Sequence, residues 1–361
     1  MKSSARTLDR SDPPVMTPRE IFEYLDRFVI GQDRAKRVVA IAAYNHLKRC
    51  AQHCAKGKKS ALKKSNILMM GPTGCGKTHI ARNLADCLKV PFTVVDATEY
   101  TEAGYYGKDV EVMAAELLFK ADQDLEAAQR GIIFVDEIDK IARRSHGART
   151  GAGARDIGGE GVQQGMLKLL EGREIFVPLN VTQHWNKHDF VVMDTQDILF
   201  ICAGTFSDLH LYAGTRAMVF GADGDGDRRA GQVAQKDLLE YGLIAEFLGR
   251  LPVVVGLQAL GEEDLLKILT VPPDSLTREY QELLAMDEVR LRFSEPALRE
   301  MVRYAIRRKA GARGLRSILE EVCHDLMFEA PERRGQTVTI DAHYVADHLS
   351  HLDGVPLGGV A

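Results

Sequence analysis

No run of eighteen apolar residues occurs in the chain, so no membrane-spanning helix is predicted and no membrane partner is expected. The first fifteen residues lack the apolar core of a signal peptide and read as a disordered tail, which predicts a cytoplasmic protein. No Cys-x-x-Cys pair exists. The six cysteines (Cys50, Cys54, Cys75, Cys87, Cys202 and Cys323) are scattered, which favours reduced thiols over a disulfide framework. His46, Cys50, His53 and Cys54 fall near one face of a predicted helix. Four ligands on one straight helix cannot surround a tetrahedral ion, so no zinc is expected. Excess charge of one sign is also missing: 47 basic against 51 acidic residues leave a net charge of -4. No global positive field recruits nucleic acid, which is not an expected partner. No internal repeat of fixed period is present.

What the chain does have is Gly71-Pro72-Thr73-Gly74-Cys75-Gly76-Lys77-Thr78. It follows the apolar run Ile67 to Met70 and precedes a helical pattern from Ile80 to Leu88. Strand, glycine loop and helix form the setting of a phosphate-binding loop. Glycines let backbone N–H groups turn toward phosphate oxygens, and the helix adds its partly positive N-terminus. Lys77 is predicted to reach the β and γ phosphates, and the Thr78 hydroxyl to ligate magnesium.

Upstream, Thr17-Pro18-Arg19-Glu20 reads as a capped helix start. The apolar turn Phe28-Val29-Ile30-Gly31-Gln32 leads to a second helix from about Asp33 to Arg49. That turn fits an adenine pocket and simple helix packing equally well. Ala55 to Lys64, with five lysines, reads as a solvated loop. Beyond the phosphate loop, Phe92 to Asp96 reads as a strand. Gly104-Tyr105-Tyr106-Gly107 then forms a glycine-flanked loop whose tyrosines either make a sticky tip or tuck into the core. A helix is predicted from Val110 to about Gln129. Ile132 to Val135 is a doubly buried strand ending in Asp136 and Glu137, at the ligand edge of a parallel sheet. Asp136 is placed to hold magnesium, directly or through water, and Glu137 to polarise the attacking water. Asp197 to Thr205 is another buried strand, with Thr205 placed to contact the γ-phosphate or its water.

Asp-x-Asp-x-Asp within Gly221 to Gly231 lacks the glycine and final glutamate of a calcium loop, so calcium is not expected. Lys236 to Arg250 reads as one helix. After Val253 to Val255 strands stop alternating with helices, and amphipathic segments follow at 262–269, 276–286, 295–305 and from Gly311 to about Phe328, with a short strand at 338–340. The predicted fold class is α/β: a P-loop NTPase large domain over 17–256, a parallel sheet flanked by helices. A small, mostly α-helical domain over 257–350 follows, between tails at 1–16 and 351–361.

Phosphate loop, acidic strand end, arginine at a helix end and helical second domain together resemble the AAA+ ATPases. Within them the chain is most similar to the ClpX family, the ATP-driven unfoldase subunits of the Clp protease (HslU/ClpX branch). The matching stretches are Phe28 to Gln32, Gly71 to Thr78, Ala97 to Tyr105, Phe134 to Lys140, Gly159 to Gln164, Gly249 to Pro252 and Gly311 to Arg316. The resemblance implies an ATPase using ATP and Mg2+, with no peptidase activity of its own. It implies a homohexamer that unfolds protein substrates and passes them to the ClpP peptidase. Val29 and Ile30 would line the adenine pocket, with Gly71 to Thr78 and His79 around the phosphates. Gly104, Tyr105, Tyr106 and Gly107 would form the pore loop, with Tyr105 gripping substrate. Arg250 would be the finger that reaches a neighbour's γ-phosphate, and Arg313 the second sensor. The family's N-terminal zinc domain is not found in this chain. Trp185-Asn186-Lys187-His188 is the nearest match to the second pore loop. The peptidase-docking loop is matched best by Met218-Val219-Phe220-Gly221, in a shortened segment. A peptidase-independent remodeller is therefore the alternative reading, ahead of a DNA-acting motor.

Overall fold

The computed structural model describes residues 16–56, 63–101, 108–142, 159–178, 190–209, 235–308 and 311–350. Helix α1 (Pro18–Phe28) opens with the expected capping box. The Thr17 N–H donates to Glu20 Oε2 at 2.7 Å, and the Glu20 N–H donates to Thr17 Oγ1 at 3.3 Å. Helix α2 (Asp33–Lys56) runs a further two turns past the expected end at Arg49. There follow β1 (Ile67–Met70), α3 (Lys77–Leu88), β2 (Phe92–Asp96), the short β3 (Tyr100–Thr101) and β4 (Lys108–Asp109), α4 (Val112–Lys120), α5 (Leu125–Ala128) and β5 (Ile132–Asp136). Next come α6 (Glu160–Glu171), β6 (Glu174–Pro178), β7 (Phe190–Asp194), β8 (Leu199–Gly204), α7 (Gln235–Tyr241), α8 (Ala245–Leu248) and β9 (Val253–Gly256). The C-terminal part holds α9 (Glu262–Thr270), α10 (Leu276–Met286), β10 (Arg290–Phe293), α11 (Glu295–Arg307), α12 (Gly311–Glu329), β11 (Thr337–Ile340) and α13 (Ala342–Ser350).

Five strands form one all-parallel sheet in the order β2-β5-β8-β1-β9. The central strands are apolar up to their C-terminal ends because both faces are covered. In β1, Leu68 and Met70 pack on the side of α4 and α6, while Ile67 and Met69 pack on the side of α1, α2 and α3. β5 and β8 alternate in the same way. The C-terminal helices enclose their own core, with β10 and β11 pairing in parallel beside it. The fold is thus α/β with a helical small domain, as the residue pattern implied. No helix among the described residues is long and apolar enough to cross a membrane.

Several elements differ from the sequence reading. The single helix expected from Val110 to Gln129 is two, α4 and α5, broken where Asp122 and Gln123 take positive φ values of 53° and 64°. The helix expected from Lys236 to Arg250 is likewise split into α7 and α8, at Gly242, whose φ is 118°. β6, β7, β10 and α13 were not anticipated. Lys64 is not solvated. Its Nζ donates to the Thr195 carbonyl at 2.9 Å and lies 4.9 Å from the Phe200 ring centroid. Burial, aided by the Arg49 guanidinium, pushes its pKa down to about 7.

The suspected helix cluster is a buried polar anchor. Arg49 pairs with Asp197 at 3.3 Å, and the His53 ring bonds the same carboxylate at 2.8 Å. His46 contacts Arg49 and Cys50, and burial pushes its pKa down to about 3, so it is neutral. Among the described residues no group of three His, Cys, Asp or Glu side chains is placed to hold a metal ion.

Candidate active site

A cleft of about 710 Å3 lies where the C-terminal ends of β1, β5 and β8 meet the small domain. Its floor is the glycine loop. Gly74 and Gly76 have φ values of 76° and 98°, a region that side-chain-bearing residues rarely adopt. Gly71 meets a different limit, because a Cβ there would lie 2.8 Å from the Leu257 carbonyl oxygen. These turns place Gly76 at the N-terminus of α3, with Thr73 to His79 along the cleft wall. Lys77 is buried, and its Nζ donates to the Gly71 carbonyl at 2.7 Å and the Pro72 carbonyl at 3.1 Å.

The acidic wall comes from strand ends in register. Asp96 of β2 sits beside Asp136 of β5. The chain then turns sharply at Glu137, whose φ of 56° costs about 1–3 kcal/mol for a residue other than glycine. The turn is held by the Glu137 N–H, which donates to Asp136 Oδ1 at 2.9 Å. Partial burial and then the Asp96 and Asp136 carboxylates push the Glu137 carboxyl above its ordinary value, in the direction that strengthens a base. Asp139 closes the wall. Its carboxylate accepts from the Thr205 hydroxyl at 2.9 Å and the Thr205 N–H at 3.2 Å. A Cβ on Gly204 would lie 2.6 Å from Asp139 Oδ1 and 2.7 Å from the Phe206 ring, so any side chain there would displace the Asp139 carboxylate from Thr205. Thr78 and Asp136 both face the cleft, and a hydroxyl with a carboxylate is an oxygen donor set that fits Mg2+.

The opposite wall is apolar. Phe28, Val29 and Ile30 face Leu260, Ile268 and Leu276 of the small domain. Lys36 fixes the Phe28–Ile30 turn from below. Its buried Nζ donates to the Val29 carbonyl at 3.2 Å and pairs with Asp26 and Asp33. Arg313 and Arg316, from the first turns of α12, complete the rim. An apolar slot, an amide-lined loop with a lysine, and paired acids are the parts a nucleoside triphosphate requires.

Comparison with known proteins agrees. The AAA domain (Cdc48 subfamily) family matches residues 62–254, and the C-terminal, D2-small domain of ClpB protein matches residues 260–340. The ATP-dependent Clp protease ATP-binding subunit ClpX 2 of Wolinella succinogenes is 44% identical over 336 residues, covering 93% of this chain and 83% of the relative. The ATP-dependent Clp protease ATP-binding subunit ClpX of Porphyromonas gingivalis is 43% identical over 352 residues, covering 95% of this chain and 84% of the relative. The chain belongs to the ClpX family. It is an AAA+ ATPase.

Most of the residues singled out in the sequence line this ClpX-family cleft: Val29, Ile30, Thr73 to His79, Asp136, Glu137, Thr205 and Arg313. Gly71 and Pro72 lie beneath it, where their carbonyls receive Lys77. Arg250 is elsewhere. Its carbonyl accepts from Asn66 Nδ2 at 3.0 Å, just before β1, whereas the glycine loop leaves the other end of that strand. One strand length, about 13 Å, separates the two edges. The Arg250 guanidinium bonds Glu171 at 2.8 Å on the outer surface, and that bond, with help from Arg173, holds the Glu171 carboxyl below its ordinary value. Gly104 to Gly107, Trp185 to His188, Met218 to Gly221 and the Gly221 to Gly231 stretch lie outside the described residues. The feet of the first of these loops are anchored, however. Lys108 pairs with Glu99 at 2.7 Å and Glu116 at 3.2 Å, and the buried Tyr100 donates its hydroxyl to Glu116.

Asp139, Lys140, Ser207, Asp274 and Arg316 also line the cleft and were not anticipated. Asp139 follows Asp136 by three residues and Arg316 follows Arg313 by three, so a search one turn further would have found both. Asp274, in a Pro-Pro-Asp-Ser turn, carries no such signal.

Cys75 lines the cleft but is only 3% exposed, and burial pushes its thiol pKa up. Thiolate is the reactive form, so Cys75 is expected to resist iodoacetamide in the folded protein, while the half-buried Cys50 reacts sooner. Peptide mapping after timed alkylation checks this. Early, stoichiometric modification of Cys75 would contradict the packing described here.

Proposed function

We propose that the protein is an ATP-dependent unfoldase and translocase: a hexameric ring that couples ATP hydrolysis to threading of protein substrates through its central pore. The carrying observation is the position of Arg250. It belongs to the motif that supplies the arginine finger in this family, yet it lies across the sheet from its own cleft. A guanidinium so placed serves a nucleotide only if a second subunit brings its cleft to it, which a closed ring does at every interface. The relatives' names, ATP-binding subunits of an ATP-dependent Clp protease, support delivery of substrate to a ClpP-type peptidase.

In this reading Val29 and Ile30 hold the adenine, and the glycine-loop amides with Lys77 hold the phosphates. Thr78 and Asp136 would hold Mg2+, which supplies charge neutralisation on the phosphate oxygens. Glu137 takes a proton from the attacking water. Thr205, fixed by Asp139, orients that water or the γ-phosphate. Arg313 reports the nucleotide to the small domain.

Tyr105 is the residue assigned to pull. Tyr105→Ala is expected to leave ATP turnover within about twofold and to reduce unfolding of a tagged substrate at least about tenfold. Unimpaired unfolding would remove the pore assignment. A peptidase-independent remodeller is the second reading, favoured by the shortened Met218 to Gly221 segment. Stable co-sedimentation with ClpP in ATP would exclude it.

A further inference from the structure

One side chain ties three backbone segments together at the edge of the cleft. Gln32 Oε1 accepts from the Gln258 N–H at 3.0 Å, and Gln32 Nε2 donates to the Gln258 carbonyl at 2.8 Å. The same Nε2 donates to the Cys75 carbonyl at 3.4 Å. The Gln32 amide thus pairs with Gln258 as a neighbouring strand would, and reaches the glycine loop as well. Its backbone is arranged for this. Gly31 and Gln32 both have positive φ, 65° and 58°, so the chain reverses between α1 and α2 and turns the Gln32 side chain toward the strap that follows β9.

That strap is the covalent link between the two domains. Its first residue, Leu257, donates its N–H to the Met70 carbonyl at 2.7 Å, at the root of the glycine loop. Gln258 is held by Gln32. The chain then passes through Ala259 and Leu260 to Gly261, whose N–H is taken at 3.1 Å by Asp264 of α9. Leu257 and Gln258 therefore belong to the frame of the large domain, and Gly261 to that of the small domain. Any rotation of one domain against the other is confined to the bonds between Gln258 and Gly261.

We propose that Gln32 is a positioning residue that sets this pivot. Through it the glycine loop, the Phe28–Ile30 turn and the small domain carrying Arg313 move as a linked set. Without it the strap is free beyond Leu257, which Met70 still holds. The pivot lengthens, and the orientation of the small domain no longer follows the state of the loop. Gln32 touches no nucleotide in this scheme; it acts through Gln258 and Cys75.

The test uses the full chain and the Gln32→Ala and Gln32→Glu variants. Glutamate keeps the length and the acceptor for the Gln258 N–H. It loses the donor, and sets a carboxylate oxygen against the Gln258 and Cys75 carbonyls. In Gln32→Ala the Gln258 amide is expected to exchange with deuterium at least about tenfold faster than in the parent, whereas Gln32→Glu keeps that acceptor and tests the loss of the Nε2 donor. The Leu257 amide, bonded to Met70, stays protected. The second readout is the distance between spin labels at Lys120 and Met286, one on each domain. The parent is expected to give different distributions in ATP and ADP, and the variants one broad distribution in both, with an unchanged melting temperature. A merely structural role for Gln32 would lower the melting temperature and leave the nucleotide dependence intact. Unaltered exchange at Gln258 in Gln32→Ala, or retained nucleotide-dependent distances in either variant, would overturn the proposal. The distance measurement rests on the nucleotide reading of the cleft. If the parent shows no response to nucleotide, that reading fails, and the breadth of the distance distribution decides whether Gln32 sets the pivot: narrow in the parent and broad in the variants supports it, equal breadth overturns it.

Discussion

Glu137→Gln is expected to bind ATP as the parent does and to hydrolyse it at least about a hundredfold more slowly. The substitution keeps the volume and the left-handed turn but removes the group that accepts a proton. The expectation is sharp because the carboxylate is tuned by its surroundings. Partial burial and two neighbouring acids raise its pKa, which a neutral amide cannot reproduce. Retained affinity is expected because the binding parts, Lys77, the loop amides and the Val29–Ile30 slot, do not depend on Glu137. A fluorescent ATP analogue gives the affinity and released phosphate gives the rate. Turnover within tenfold of the parent would mean that another group activates the water.

Arg250→Ala is expected to slow hydrolysis by about a thousandfold, the scale of a lost arginine finger. Its more informative form is a mixture. If Arg250 serves a neighbour, a Glu137→Gln subunit still offers an intact arginine and an Arg250→Ala subunit an intact carboxylate. Mixed assemblies then contain some complete sites. Two nearly inactive proteins are expected to regain, on mixing, a rate well above the sum of their own. If Arg250 served its own cleft, no mixture would contain a complete site and the rate would stay at that sum. The mixture therefore tests the across-sheet geometry of Arg250 directly, and with it the ring.

How much of this was legible in the chain depended on how local each cause is. The glycine loop was readable because its strand, turn and helix are consecutive. The capping box at Thr17 and Glu20 was readable because both partners lie within one turn. The breaks at Asp122 and Gln123 were not, since nothing in those side chains announces a positive φ. β10 was missed although Arg-Leu-Arg-Phe alternates as a half-buried strand should, and α13 although Asp341 caps it by accepting from Tyr344. Lys64 looked like one member of a lysine run. Only the fold brings the Thr195 carbonyl and the Phe200 ring around it. Gln32 was hidden for the same reason, because it is defined by partners far along the chain.

The position of β1 bears on how the protein is made. This strand carries the glycine loop at its end, yet it pairs with β8 and β9, both of which lie much later in the chain. A ribosome delivers β1 long before either neighbour exists, and a lone central strand has nothing to pair with. The sheet cannot close until β9 emerges, and β9 leads directly into the strap to the small domain. Nascent chains that stop short of Gly256 should therefore not hold nucleotide, and the cleft is complete only once the small-domain residues from Leu260 to Arg316 have followed.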